Sequence, residues 1–246
     1  MPSEICDYSG TDYKNFWSAE DRRYEDLTER LVLRQLLPQK AKNILELGAG
    51  FGRLLDEYVG RTKQVVLLDY AANLLLQAKA GATSHNLEVS LINGNIYELP
   101  FKNNSFETVV LVRVSHHLED PPSVFLEIFR VLEPGGNFIF EYANKRHVLA
   151  VLKFLFGRAE YNPFSAEPVR RGQATFFNFS PAEIEKQLKQ TGFRIIKIKS
   201  VSNFRAPFIK KIFSYKILAF FDRLWSWIFT PLRFGPSIFV KALKPE

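Results

Sequence analysis

The hydrophobic pattern of the chain switches repeatedly between two periods. Continuous apolar runs rich in Val, Ile and Leu occur at Asn43–Leu47, Gln64–Leu68, Leu87–Ile92, Phe106–Val112 and Asn137–Tyr142, and helix-period segments occur at Leu54–Val59, Ala71–Ala82 and Ser123–Leu132. Runs that are apolar at nearly every position predict strands covered on both faces, and the strand–helix alternation predicts a parallel sheet with right-handed crossovers. The pattern is that of an α/β, doubly wound protein. Ahead of it, Asp21–Leu37 has the spacing of an amphipathic helix ended by Pro38. Glu133-Pro134-Gly135-Gly136 is a turn between a helix and the next strand. Ser180 is placed as an N-cap, with Pro181 at the first helical position, Glu183 as capping-box partner and Gly192 closing the helix. Phe193–Val201 and Ser237–Ala242 read as two further strands.

Composition narrows this picture. The 246 residues are 46% hydrophobic and carry one cysteine, Cys6, which excludes an internal disulfide framework and a Cys-based zinc cluster; no metal site is expected. The amino terminus lacks the apolar stretch of a signal peptide, and Lys216, Asp222 and Arg223 interrupt the apolar stretch from Ile212 to Phe229, so neither export nor a membrane-spanning helix is expected. The expectation is a cytoplasmic protein. The net charge of +7 is an average of two regimes. Residues 1–144 hold 14 basic and 20 acidic side chains, a balance of −6, whereas residues 145–246 hold 19 basic and six acidic ones, a balance of +13.

The densest chemical signal is Ile44-Leu45-Glu46-Leu47-Gly48-Ala49-Gly50-Phe51-Gly52-Arg53, a buried strand running into glycines. Glycines there let the chain turn sharply and let a ligand approach the backbone, although a plain strand–turn–helix junction would use them too. A dinucleotide fingerprint starting at Gly48 would need glycine where Arg53 stands, and no G-K-[ST] follows for a triphosphate loop. The second signal is Asp69, 21 positions after Gly48, at the end of the run Val65-Val66-Leu67-Leu68. A carboxylate there is placed to accept from two ribose hydroxyls. It can equally cap the following helix, and the two roles are compatible.

With Gly94-Asn95-Ile96-Tyr97-Glu98-Leu99-Pro100-Phe101, Ser105-Phe106-Glu107-Thr108-Val109-Val110 and Arg130-Val131-Leu132-Glu133-Pro134-Gly135-Gly136 in order behind them, these motifs resemble the class I S-adenosylmethionine-dependent methyltransferases. The resemblance is to the methyltransferase type 11 group, which includes quinone-biosynthesis C-methyltransferases, and covers about residues 43–143. It implies a three-layer Rossmann-like fold with a seven-stranded, mostly parallel sheet whose last strand, Ser237–Ala242, is antiparallel. It implies S-adenosylmethionine as cofactor and S-adenosylhomocysteine as product. By the same resemblance Glu46, Gly48, Ala49, Gly50 and Gly52 face the methionine moiety, Asp69 holds the ribose, and Asn95 with Ile96 meets the adenine; Tyr70, beside Asp69, is counted with the cofactor residues. Two positions depart from the family pattern. Asn95 stands where an Asp is common, which keeps an acceptor but loses the charge. Arg113 ends the fourth strand, where it either points away from the cofactor or anchors an anionic group of cofactor or substrate. One domain, 1–246, is expected, with a helical lid segment at 1–40, a cofactor core at 41–144 and a substrate-lid and tail region at 145–246.

Methyl transfer from a sulfonium is an in-line displacement, for which alignment and exclusion of water are the protein's main contributions. A base helps only if the acceptor must lose a proton, and His116 and His117, after the fourth strand, are the candidates; structural hydrogen bonding is the competing role. Tyr13 and Trp17 belong to a segment that in related enzymes folds over the cofactor, and ordinary packing would use them equally well. Arg158, Arg170 and Arg171 lie among the aromatics of Phe154–Phe179 and suit an acceptor with an apolar body and an anionic group, unless they are simply solvated. Residues 203–246 hold 11 aromatics, eight basic and two acidic residues. On a helix from Pro207, Ile209, Phe213, Ile217, Phe220, Leu224, Trp227 and Ile228 form one apolar stripe, while Phe208, Ile212, Tyr215 and Trp225 fall outside it. Core packing, a bilayer surface or lipid-like substrate, and a second subunit making a homodimer are all open for that surplus. The expected partner is a small or lipid-like, anionic-compatible acceptor. Nucleic acid is disfavoured because the basic residues are interleaved with bulky apolar ones, although an RNA methyltransferase and a non-catalytic binding protein of the same fold remain alternatives.

Overall fold

The computed structural model describes residues 13–82, 87–171 and 176–246, and for Arg171 the backbone only. Two helices open the described chain, α1 (Tyr13–Ser18) and α2 (Arg23–Leu36), followed by β1 (Asn43–Leu47), β2 (Gln64–Asp69), α3 (Ala72–Ala82), β3 (Glu88–Asn93), β4 (Phe106–Leu111), α4 (Pro121–Val131) and β5 (Leu132–Ala143). The second half runs α5 (Val148–Leu155), β6 (Val169–Arg171), β7 (Phe176–Asn178), α6 (Pro181–Thr191), β8 (Arg194–Val201), α7 (Pro207–Ile212), α8 (Tyr215–Leu232) and β9 (Ser237–Leu243). Seven strands form one sheet in the order β3-β2-β1-β4-β5-β9-β8, and β6 with β7 forms a separate hairpin. The first five pair in parallel, and β9 runs antiparallel to both β5 and β8. The expected seven-stranded, mostly parallel sheet with an antiparallel last strand is therefore present.

Each face of the sheet is covered, which makes three layers. On one side Val124, Phe125 and Ile128 of α4 and Ile184 and Leu188 of α6 pack on Val109, Phe138 and Phe140; on the other Leu33 and Leu36 of α2 and Leu75 and Ala78 of α3 pack on Ile44, Leu67 and Val110. That double cover explains why the central strands are apolar at nearly every position. The order places the turn after β1 beside the start of β4's exit loop. Strand order reverses between β1 and β4, which opens a crevice at the carboxyl edge of the sheet.

Four local expectations differ. The segment Leu54–Val59 forms only a 3-10 turn, Leu55–Glu57, because it is confined between Gly52 and Gly60, both at positive φ, and because Arg30 and Arg34 of α2 draw Glu57 inward. Ser180 and Gly192 bound α6 as expected, but Ser180 makes no side-chain cap and Glu183 pairs instead with Lys186, so the capping box is absent. The helix from Pro207 is interrupted at Phe213, and Ser214 caps a new helix, α8, by accepting from Ile217 N. On α8 the buried residues are Leu218, Ala219 and Asp222, whereas Ile217, Phe220, Leu224 and Trp227 of the expected core stripe are exposed. Periodicity had located the stripe; it could not say which side of the helix the protein occupies.

Candidate active site

The glycine turn is built by three residues with three different constraints. Gly48, Gly50 and Gly52 all have positive φ, at 68°, 53° and 76°, where other residues are strained. A Cβ on Gly48 would lie 2.1 Å from the Val114 side chain, and one on Gly52 would lie 2.9 Å from Ala78 Cβ in α3, so these two serve close packing. At Gly50 the nearest side chain is the Tyr13 ring at 3.8 Å, and this glycine faces open space.

That space is a cavity of about 770 Å³ at the carboxyl edge of the parallel strands. It is walled by Gly48 and Gly50 from the first turn, Asp69 and Tyr70 from the end of β2, Gly94, Asn95, Ile96 and Tyr97 after β3, and Arg113, Val114, His117 and Leu118 after β4, with Tyr13 and Leu74 closing it. Asp69 is fixed by two backbone donors: Gly50 N at 2.7 Å to one carboxylate oxygen and Ala71 N at 2.8 Å to the other. The second bond closes a turn just ahead of α3, and together the two fix the carboxylate at the cavity wall. Asn95 Oδ1 accepts from Tyr97 N at 3.0 Å, which sets the loop, and Tyr97 Oη in turn accepts from Glu119 N at 3.2 Å.

A smaller cavity of about 300 Å³ continues from Gly48, Tyr13 and Arg113 towards Glu46, Ala49, Phe51, Arg53 and Trp17. Two buried polar atoms in its walls, the acceptor Glu46 Oε2 and the donor Trp17 Nε1, have no hydrogen-bond partner among the described residues. Burial pushes Glu46 up to about 7, against the opposing influence of Tyr58 and Arg53. Trp17 is buried with the Arg53 guanidinium 3.9 Å from its ring centroid, and Tyr13 meets Phe51 edge-on at 6.1 Å, so α1 closes this end.

Arg113 has φ 63°, and its amide donates to Glu141 of β5 at 3.0 Å. Its guanidinium turns to the amino-terminal layer, where it pairs with the fully buried Glu29 of α2, which also receives Arg53 at 3.0 Å. Arg113 nonetheless borders both cavities. Glu29 gave no sign in the sequence beyond its place on an amphipathic helix, because its partner is 84 residues away.

The two histidines separate. Both sit on a 3-10 turn, Ser115–His117, but only His117 borders the larger cavity. His116 stacks on Phe176 of β7 at 5.4 Å, and burial depresses its basicity well below the usual imidazole range. Gly52 borders neither cavity; it faces α3. Arg158 and Arg170 are exposed and line neither, and the Arg171 side chain lies outside the described residues, as does Cys6. Val114, Leu118, Leu74 and Tyr97 join the site without having been singled out; Tyr97 stood inside the Gly94–Phe101 motif.

A family model described as a methyltransferase domain matches residues 45–140, the segment that supplies nearly all of these walls. The matched segment is similar to that family's methyltransferase domains. A protein of Mycolicibacterium smegmatis named a probable S-adenosylmethionine-dependent methyltransferase is 29% identical to this chain over 183 residues, 74% of this chain and 61% of that relative. A demethylmenaquinone methyltransferase of Listeria monocytogenes is 35% identical over 102 residues, 40% of this chain and 43% of that relative. The matches thus span about half of each relative's length. Among solved structures, a chain of the Haloferax volcanii complex between the Trm112 methyltransferase activator and a methyltransferase superposes with a TM-score of 0.66 at 16% identity, covering 99% of this chain and 100% of that one. S-adenosylmethionine is the cofactor this family and fold imply. The residues present are compatible with such a group: a carboxylate at the end of β2, apolar side chains at Ile96 and Leu118, and, at the other end, a buried acceptor and donor, Glu46 Oε2 and Trp17 Nε1, without partners among the described residues.

Proposed function

We propose that the protein is an enzyme that transfers a methyl group from S-adenosylmethionine to a lipid-like acceptor with an aromatic or quinone-like ring, working at a membrane surface. The observation that carries the reading is the joined pair of cavities at the carboxyl edge of the sheet, with polar, charge-bearing walls at Asp69 and Glu46 and largely apolar walls at Ile96, Val114 and Leu118. Demethylmenaquinone methyltransferases among the relatives support the ring class.

In this reading Asp69 accepts from the two ribose hydroxyls, Asn95 and Ile96 receive the adenine, and Glu46 balances positive charge at the methionine end. Arg113, steadied by Glu29, offers a cation where a carboxylate would lie. The bound cofactor supplies an electrophilic methyl on a good leaving group. The chain's own task is to hold the acceptor in line and to exclude water, which Tyr13 and Trp17 accomplish by closing the open side. His117 is the group within the cavity able to take a proton from an acceptor hydroxyl or acidic carbon. His116, outside the cavity and poorly basic, keeps the turn in place through Phe176.

The test is calorimetric titration with S-adenosylmethionine, followed by incubation with labelled cofactor and either a lipid extract or total RNA. Saturable binding with label entering an organic-soluble product is expected. Label entering RNA, or cofactor binding with no labelled product from either source, would overturn the proposed acceptor, and an absence of binding would overturn the cofactor assignment.

A further inference from the structure

Helix α8 is amphipathic in the reverse sense of a surface helix. At 3.6 residues per turn its inward side centres on Leu218, Ala219 and Asp222. Asp222 is the anchor: it accepts from Ser202 N at 3.1 Å, Asn203 N at 2.8 Å, Asn203 Nδ2 at 2.7 Å and the Tyr24 hydroxyl at 3.1 Å. The opposite side presents Phe220 at 63% exposure and Trp227 at 72%, with Ile217 and Leu224 beside them. Helix α7 adds Phe208 at 66% and Ile212 at 69%. Scattered exposed apolar side chains are ordinary, but a stripe carried over two consecutive helices, with the carboxylate buried and the aromatics outside, marks a contact surface.

Charge selects what covers it. Lys211, Lys216 and Arg223 are exposed along the same two helices, while Asp222, the one acidic residue between 203 and 245, is buried. In a two-fold contact with a second copy, that basic border would meet itself. A bilayer surface with anionic headgroups satisfies both parts at once, apolar side chains below the headgroups and cations at their level. No helix among the described residues is long and apolar enough to cross a membrane, so contact from the surface is the geometry left to these helices. The surface also adjoins the cavity's lid. Lys210 of α7 donates to Asp21 O at 2.5 Å and pairs with Glu25 at 3.0 Å, and the Arg23 guanidinium lies 6.0 Å from the ring of Tyr215, all within a few residues of α1.

We propose that the outward faces of α7 and α8 dock on an anionic lipid bilayer and so set the α1 edge of the active-site cavity against the layer that holds the acceptor. The inference rests on the lipid-like acceptor proposed above. The test is flotation of the full chain with vesicles of phosphatidylcholine alone and of phosphatidylcholine with phosphatidylserine. Binding to the second is expected to exceed binding to the first and to weaken with salt. The double variant Phe220→Glu, Trp227→Glu should lose about tenfold or more of vesicle affinity, and Lys211→Glu with Lys216→Glu should abolish the preference for phosphatidylserine, both with S-adenosylmethionine affinity unchanged. Equal flotation of parent and variants, or no flotation with either vesicle, would overturn the proposal. So would a solution dimer that the Phe220→Glu, Trp227→Glu variant converts to monomer, since a second copy would then own the face. Failure of the cofactor reading would register separately, as lost cofactor binding with vesicle binding intact.

Discussion

At the scale of single residues, Asp69 and Glu46 carry distinguishable loads. Asp69 faces the cavity with both oxygens oriented by backbone amides, so Asp69→Ala removes a preorganised acceptor and leaves Gly50 N and Ala71 N without theirs. Titration calorimetry is expected to give a cofactor dissociation constant raised by about tenfold to a hundredfold, as for loss of a charge-assisted hydrogen-bonded pair. Glu46 works through pH. With its carboxyl near 7 in the free protein, a cation bound beside it favours ionisation, so cofactor affinity should rise as pH climbs through neutrality and level off above it. In Glu46→Gln that rise should vanish, which titrations at pH 6 and pH 8 would reveal. Asp69 and the glycines were legible in the sequence because their roles are local: a tight turn needs positive φ, and a strand end fixes where a side chain emerges. The pairing of Arg113 with Glu29 was not, because nothing local encodes a contact between residues 84 positions apart.

At the scale of elements, α2 joins the site to the tail. Its Tyr24 and Glu25 hold Asp222 and Lys210, and one turn on its Glu29 holds Arg53 and Arg113. Burial alone would push Glu29 up, but Arg113 and Arg53 outweigh it and leave the carboxyl below its ordinary value. A depressed carboxylate stabilises the fold above the ordinary carboxylate range and loses that contribution as pH falls through its lowered value. Glu29→Ala, which leaves two guanidinium groups facing each other across the gap, should cost about 3–5 kcal/mol by urea denaturation at neutral pH. The strands and α6 were readable from pattern and caps. The facing of α8 was not, because an apolar stripe reports amphipathicity and only the buried hydrogen bonds of Asp222 decide which side turns inward.

At the scale of the whole molecule, the split in charge corresponds to a division of labour. The acidic portion supplies nearly all the walls of the cavity proposed to hold a cationic cofactor, and the basic portion supplies α7 and α8. One feature of the sheet ties the two portions in time as well as in space. Strand β9, residues 237–243, lies hydrogen-bonded between β5 and β8 in the sheet order, and Lys244 behind it donates to Phe129 O and Leu132 O. A chain ending at Pro236 would leave β5 with an unpaired edge in the middle of the core and β8 adrift, so it should be recovered largely as aggregate, which sedimentation of the expressed protein would show. During synthesis the same geometry imposes a wait: β5 ends at Ala143, whereas the strand that pairs with its free edge starts only at Ser237, so a ribosome-bound chain has long released β5 while β9 is still to be made. For that interval the nascent protein exposes an open sheet edge, and its yield should depend on holdase chaperones more steeply than its finished stability would suggest.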